Sequence, residues 1–133
     1  MSDTRYRRNA GSSYLLKYHF VWCPKYRRKV LVGEIADELR SLLYQKALDL
    51  DVTIEALEIM PDHVQLFIQS DPTEAPQRLA NQFKGYTSRL LRQKFPQLRS
   101  RLPSLWSRSY YVETIGHVSE ETVKKYIEMQ KSS

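Results

Sequence analysis

The chain has 133 residues, a net charge of +6 and an apolar fraction of 41%. That size and content suit one domain with a buried core and exclude wholesale disorder. The single cysteine, Cys23, excludes an internal disulfide framework and a cysteine zinc site. No apolar run approaches the roughly 18 residues of a membrane span. MSDTRYRRNAGSS, at the start, lacks the apolar stretch of a signal peptide. The expectation is one cytoplasmic domain over residues 1–133 with no membrane partner, its first dozen residues a loose basic arm.

Charge is unevenly spread. Residues 1–30 carry eight Lys/Arg against one acid, residues 31–74 two against ten, residues 75–112 eight and no acid, and residues 113–133 three against four. If the two basic segments meet in the fold, they form one positive surface suited to a phosphate backbone. The plainer alternative is an ordinary solvated basic face.

YLLKYHFVW (14–22) is aromatic and β-branched enough for a strand, with Tyr14, Leu16, Tyr18, Phe20 and Trp22 on one face. CPKYRRKVL (23–31) breaks at Pro24 into a basic loop. From about Gly33 the period becomes helical, and Ile35, Leu39, Leu42, Leu43 and Leu50 make an amphipathic stripe. VTIEALEIM (52–60) reads as a strand in which Glu55 and Glu58 spoil strict alternation, which suggests a bulge or a half-exposed edge. Pro61-Asp62 turns the chain. A partner strand follows, with Val64, Leu66 and Ile68 on one face and His63, Gln65, Phe67 and Gln69 on the other. A second helix runs from about Pro76 to Pro96, with Leu79, Phe83, Tyr86 and Leu90 inward. QLRSRLPSL is irregular or a short helical turn. WSRSYYVET (106–114) is a candidate fourth strand, ended by Gly116. Ser119 caps a last helix over about 119–131, with Glu120 and Glu121 in its first turn. The order β-α-β-β-α-β, then α, predicts an α+β fold: a ferredoxin-like split βαβ with an antiparallel sheet, helices on one face and an added C-terminal helix.

Two residue pairs could carry chemistry. His63 and Gln65, two apart on a strand, project to the same side and can converge on one metal ion; imidazole is a good ligand, the carboxamide oxygen a weaker one. The plainer alternative is a polar strand face. Tyr126 and Gln130, four apart, share a helix face. A tyrosine hydroxyl can attack phosphorus and form a phosphotyrosine ester; with its pKa near 10 it needs help from a metal. The same residues also fit the rim of an apolar stripe with Val123 and Ile127. His19, inside an aromatic strand, reads as a packed or hydrogen-bonded histidine, and His117 as part of a turn. No dinucleotide or P-loop fingerprint, no H-E-x-x-H and no zinc spacing is present.

Five stretches in order, KYHFVWCPKYRRKVL, EIMPDHVQLFI, FKGYTSRLLR, LWSRSYYVETIG and VKKYIEMQ, resemble the small single-tyrosine HUH transposases of the TnpA type. These belong to minimal insertion sequences, with domesticated relatives acting at repetitive extragenic palindromes. The resemblance spans roughly residues 14–131. It implies a dimeric enzyme that cleaves and rejoins single-stranded DNA at small hairpins with Mg or Mn, the last helix able to complete the partner subunit's site. It implies Tyr126 as nucleophile and His63, Gln65 and Gln130 as metal ligands. Gln65 stands where the family's second histidine is expected, and two explanations stay open: a natural ligand variant, or a lesion that leaves a chain able to bind DNA but impaired in cleavage. On this reading Lys25, Arg27, Arg28, Lys29, Lys84, Arg89 and Arg92 are candidate phosphate contacts. Tyr26, Tyr86, Trp106, Tyr110 and Tyr111 are candidates for stacking on bases.

Overall fold

The computed structural model describes residues 15–115 together with Lys125, Glu128 and Met129. The expectations for the basic arm, for His117, Tyr126 and Gln130, and for most of the last helix lie outside these residues. Lys125, Glu128 and Met129 are helical and exposed.

Four strands form one sheet: β1 (Leu16–Trp22), β2 (Thr53–Met60), β3 (His63–Ser70) and β4 (Tyr111–Ile115). Helices α1 (Gly33–Leu50), α2 (Pro76–Lys94) and α3 (Pro96–Arg101) accompany them. The strand order is β2-β3-β1-β4, and all pairs are antiparallel. This is the predicted split βαβ arrangement, in which β3 and β1 lie at the centre, α1 carries the chain from β1 to β2, and α2 with α3 carries it from β3 to β4.

The patterning explains the layers. Tyr18, Phe20 and Trp22 of β1 and Val64, Leu66 and Ile68 of β3 point to one face and join Leu39, Leu43, Leu79, Phe83 and Leu91 of the helices in one buried cluster. The α1 stripe is buried throughout, with Ile35, Leu39, Leu42, Leu43 and Leu50 inside. Asp51 ends that helix in the left-handed region (φ 58), a conformation Asp tolerates better than most, and its N–H bonds Ala47 and Leu48 carbonyls. The irregularity in β2 is real: the register with β3 shifts between Ile54 and Ala56, which leaves Glu55 as the extra residue of a bulge. β2 is also a sheet edge, as its broken alternation suggested.

Two expectations shift. The buried arc of α2 is Leu79, Ala80, Phe83, Lys84, Thr87 and Leu91, while Tyr86 and Leu90 lie at its margin. The fourth strand begins at Tyr111 rather than Trp106. Trp106 instead makes an isolated bridge with Pro24 and packs edge-on against Trp22. The segment between cannot join the ladder because its carbonyls face inward: Lys84 Nζ donates to the carbonyls of Ser107 (2.8 Å), Arg108 (3.3 Å) and Ser109 (3.2 Å). Trp106 Nε1 also donates to Thr87 Oγ1, one turn along the same helix.

Lys84 therefore anchors the loop that leads into β4. Burial pulls its pKa below the ordinary lysine value, yet three carbonyl oxygens receive the ammonium. We expect Lys84→Met to lower stability by about 2 kcal/mol, from the loss of charge-assisted bonds and the acceptors left behind. Urea denaturation of the two proteins measures it, and an unchanged midpoint would refute the anchoring role.

Candidate active site and nucleic-acid interface

The second face of the sheet carries the polar rows. The register aligns Glu58, Gln65, Val21 and Tyr111 in one row across the four strands. The next row is Ala56, Phe67, His19 and Glu113. Helices were expected on the other face, yet much of this one is shielded as well. Phe67 is fully buried and clusters with Ile115 and Ala56. Gln65, Glu58 and His19 are buried too, at 3%, 5% and 8% exposure. An apolar patch thus excludes water beside the polar groups, so each of these polar groups needs a partner.

His63 opens β3, immediately after the Pro61-Asp62 turn, and is one-fifth exposed. Its Nδ1 lies 2.9 Å from Asp62 Oδ1. A carboxylate only accepts, so Nδ1 carries the proton and, in the neutral ring, the Nε2 lone pair points away from Asp62. Asp62 is held in turn by Arg27, whose Nη2 donates to Oδ2 at 3.0 Å. The bonds from His63, and then from Arg27, lower the Asp62 pKa below the usual carboxylate value. A carboxylate that fixes the tautomer and orientation of a histidine is what a metal-ligating imidazole requires.

Gln65 lies on the same side of β3, but its Oε1 is 3.2 Å from His19 Nε2. With the amide oxygen toward the ring, Nε2–H of His19 donates to it. Directly across β2 stands the buried carboxylate of Glu58. Neither His19 nor Glu58 was expected at the site. Both are found only through strand register, which brings together residues 46 apart in sequence in the case of His19 and Gln65. Among the described residues there is no group of three or more His, Cys, Asp or Glu side chains able to hold a metal ion.

The two basic segments do meet. Pro24 bridges Trp106, Lys25 N–H donates to the Leu105 carbonyl, and Ser107 N–H donates to the Cys23 carbonyl. Arg27, Arg28 and Lys29 are exposed on one side of this junction, and Arg108 on the other. Arg89 is exposed on α2, while Arg92 is half-buried and donates to the Leu102 carbonyl. Lys25 is half-buried over the Tyr26 ring. Lys84 departs from the expected phosphate contact: it is 9% exposed and bonded to the 107–109 carbonyls. Among the aromatics, Trp106 is buried, Tyr86 donates to Gln45, and Tyr26 and Tyr111 are the ones that stand well out.

Burial lowers the His19 pKa below its ordinary value, against the opposing effects of the Gln65 bond and the Glu113 charge. An unfolded chain therefore takes up this proton first as pH falls below about 6.5, and stability falls with it down to the native pKa. Denaturation at pH 7.5 and 5.5 should show a smaller acid loss for His19→Asn than for the parent; equal losses would remove His19 as the cause.

A model of the family described as "Transposase IS200 like" matches residues 12–130. The ISDra2 transposase TnpA of Deinococcus radiodurans is 36% identical over 126 residues, which cover 93% of this chain and 90% of that one. The transposase for insertion sequence element IS200 of Salmonella typhimurium is 30% identical over 123 residues, 91% of this chain and 80% of that one. A crystal structure of a Deinococcus radiodurans transposase superposes with a TM-score of 0.75 at 35% identity, covering 90% of this chain and 94% of that one. The structure of a REP-associated tyrosine transposase bound to a REP hairpin shares the fold, with a TM-score of 0.67 at 14% identity, covering 86% of this chain and 66% of that one. With a match that runs from residue 12 to residue 130 and relatives aligned over nine-tenths of its length, the chain belongs to the IS200-like family of transposases.

Proposed function

We propose that this transposase cleaves and rejoins single-stranded DNA at hairpin-bearing ends through a covalent 5′-phosphotyrosine at Tyr126. The observation that carries the reading is the Arg27–Asp62–His63 chain of bonds, which presents a tautomer-fixed imidazole at the edge of a basic junction. The REP-bound relative, a hairpin binder by its description, adds support for a hairpin ligand.

The donor set fits a divalent ion such as Mg2+ or Mn2+. His63 offers Nε2. Gln65 would offer its amide oxygen, the atom that faces His19. Gln130 completes the proposed set. When bound, the ion would draw charge from the scissile phosphate and ease attack by a weakly acidic hydroxyl. Asp62 keeps the His63 proton on Nδ1, and Arg27 keeps Asp62 ionised and in place. The Tyr126 oxygen attacks phosphorus, the bond to the 3′ oxygen breaks, and that oxygen leaves as a hydroxyl. A DNA 3′-hydroxyl later reverses the exchange on a new strand. One phosphodiester bond is traded for another throughout, so no other energy source is needed. Lys25, Arg27, Arg28, Lys29, Arg89 and Arg92 remain the phosphate contacts of this reading. A homodimer belongs to it as well, with the partner's last helix completing the site; among the described elements β4 pairs only with β1, so its outer edge has backbone groups to offer a second chain.

A second reading has an observation of its own. The His19–Gln65 bond occupies an oxygen that would otherwise serve as ligand, and this favours a relative that binds hairpins and cleaves them poorly.

Two measurements test the proposal. Parent, Gln65→His and Tyr126→Phe proteins are incubated with labelled single-stranded hairpin DNA from the flanks of the gene, with and without Mn2+, and run on a denaturing gel. A Mn2+-dependent adduct in the parent, absent from Tyr126→Phe, is expected; an adduct in Gln65→His alone would select the second reading. Titration calorimetry with Mn2+ should show Asp62→Asn binding about 10- to 100-fold more weakly than the parent. Equal affinity would detach Asp62 from the metal site.

A further inference from the structure

A cleft of about 490 Å³ opens where the basic loop after β1 meets the loop before β4, and Tyr26, Arg27, Ser107, Ser109, Tyr110 and Tyr111 are among its lining residues. We propose that this cleft holds one unpaired nucleobase of the DNA strand, stacked on Tyr111 and Tyr26, with Arg27 on the adjoining phosphate. The inference deepens the function proposed above and rests on it.

Exposure is the first ground. Tyr26 is 68% exposed and Tyr111 53%, so neither ring is explained by the core. Large amphipathic rings held out at a basic surface are the usual platform for unpaired bases. Backbone conformation is the second. Tyr26 has φ 60 and ψ 19, and Arg27 follows with φ 52. The left-handed region is disfavoured for an L-residue of this size. The loop meets that cost through Lys25 N–H to Leu105, Arg27 N–H to Pro24 and Arg28 N–H to Lys25. Strain maintained at two successive non-glycine residues, one of them an exposed tyrosine, points to use of the ring in place.

Charge and continuity supply the rest. Arg27 lines the cleft, and Arg28, Lys29 and Arg108, its exposed neighbours in sequence or beside its lining serines, belong to the same basic loops. The Arg27 side chain is two-thirds exposed and gives Nη2 to Asp62, so the guanidinium has further donors for a phosphate. Through Asp62 the same arginine connects to His63. Arg27, which lines the cleft, thus links it through Asp62 to the imidazole proposed to hold the metal ion. The carbonyls of Ser107 and Ser109 are turned to Lys84, so what this rim offers a base edge is hydroxyls, which both donate and accept. Recognition by the π-face, with hydroxyls that can either donate or accept at the edge, tolerates any of the four bases.

The test is fluorescence anisotropy with labelled short oligothymidylate and with a blunt duplex of the same length. The variants are Tyr111→Ala, Tyr111→Phe and Tyr26→Asn. Asn tolerates the left-handed backbone that Ala would strain, and Phe keeps the ring while losing the Tyr111 bond to Glu113. Tyr111→Ala and Tyr26→Asn should each bind the single strand about tenfold more weakly. Tyr111→Phe should bind as the parent does, and duplex binding should be unchanged in all. Parental affinity of both weakened variants for the single strand would overturn the proposal, as would equal losses on single strand and duplex. The adduct gel separates the two claims. Tyrosine-dependent binding without an adduct keeps the cleft and removes the cleavage chemistry. An adduct with tyrosine-independent binding does the reverse.

Discussion

One buried ammonium holds the functional edge of this protein together. Lys84 projects from the covered side of α2 and gathers three consecutive carbonyls, at 107, 108 and 109. A strand would have paired those carbonyls along its edge. Turning them inward frees the outer side of the segment to lie against the basic loop after β1, and the Pro24–Trp106 bridge follows. Thr87, one turn further along, receives the Trp106 indole and bonds back to the Phe83 carbonyl. Two polar residues on one helix thus set where the third-quarter basic segment touches the first. They act together with the Lys25–Leu105 and Ser107–Cys23 backbone bonds that join the same two segments.

β3 is the other organising element, because it is covered on both sides. Its apolar row enters the main core, and Phe67 on the opposite row enters a second, smaller cluster. The polar members of that opposite row are held by specific partners: His63 by Asp62, Gln65 by His19. A strand buried on both faces has its register fixed twice, so the orientation of His63 is fixed by packing before any ligand arrives. The site's rigid part is therefore built into the sheet, and its adaptable part, the exposed basic loop, is attached through Arg27.

Much of this was legible in the sequence. Period-two rows gave β1 and β3, and the leucine stripe gave α1. The misplaced glutamates gave the bulge at Glu55 in β2 and that strand's place at an edge. Other features were hidden for physical reasons. Lys84 reads as a solvated cation until the arc Ala80, Lys84, Thr87, Leu91 is recognised as the buried one, and only the loop carbonyls explain why a lysine can sit there. The early start expected for β4 failed for the same reason, since Trp106 has strand character but its neighbours' carbonyls are committed elsewhere. His19 looked like a packed histidine and is one, but its partner could be named only from the β1–β3 register. Glu58, read with Glu55 as the mark of a bulge or a half-exposed edge, is itself buried opposite Gln65.

The hairpin turn between β2 and β3 is only Pro61 and Asp62, since Met60 pairs with His63. Its Pro61 carbonyl is also tied to the Leu31 N–H, and its second residue is the carboxylate that joins Arg27 to His63. The turn therefore has no spare length. One inserted residue would rotate Asp62 away from the imidazole or slip β3 by a position, exchanging its two rows. The loop at 71–75, by contrast, is braced by its own Asp71–Thr73 bonds and leads into the start of a helix. Length variation among chains of this kind should accumulate there and be absent from the hairpin, so that an alignment gap at Pro61-Asp62 marks a chain that has given up this arrangement of arginine, carboxylate and imidazole.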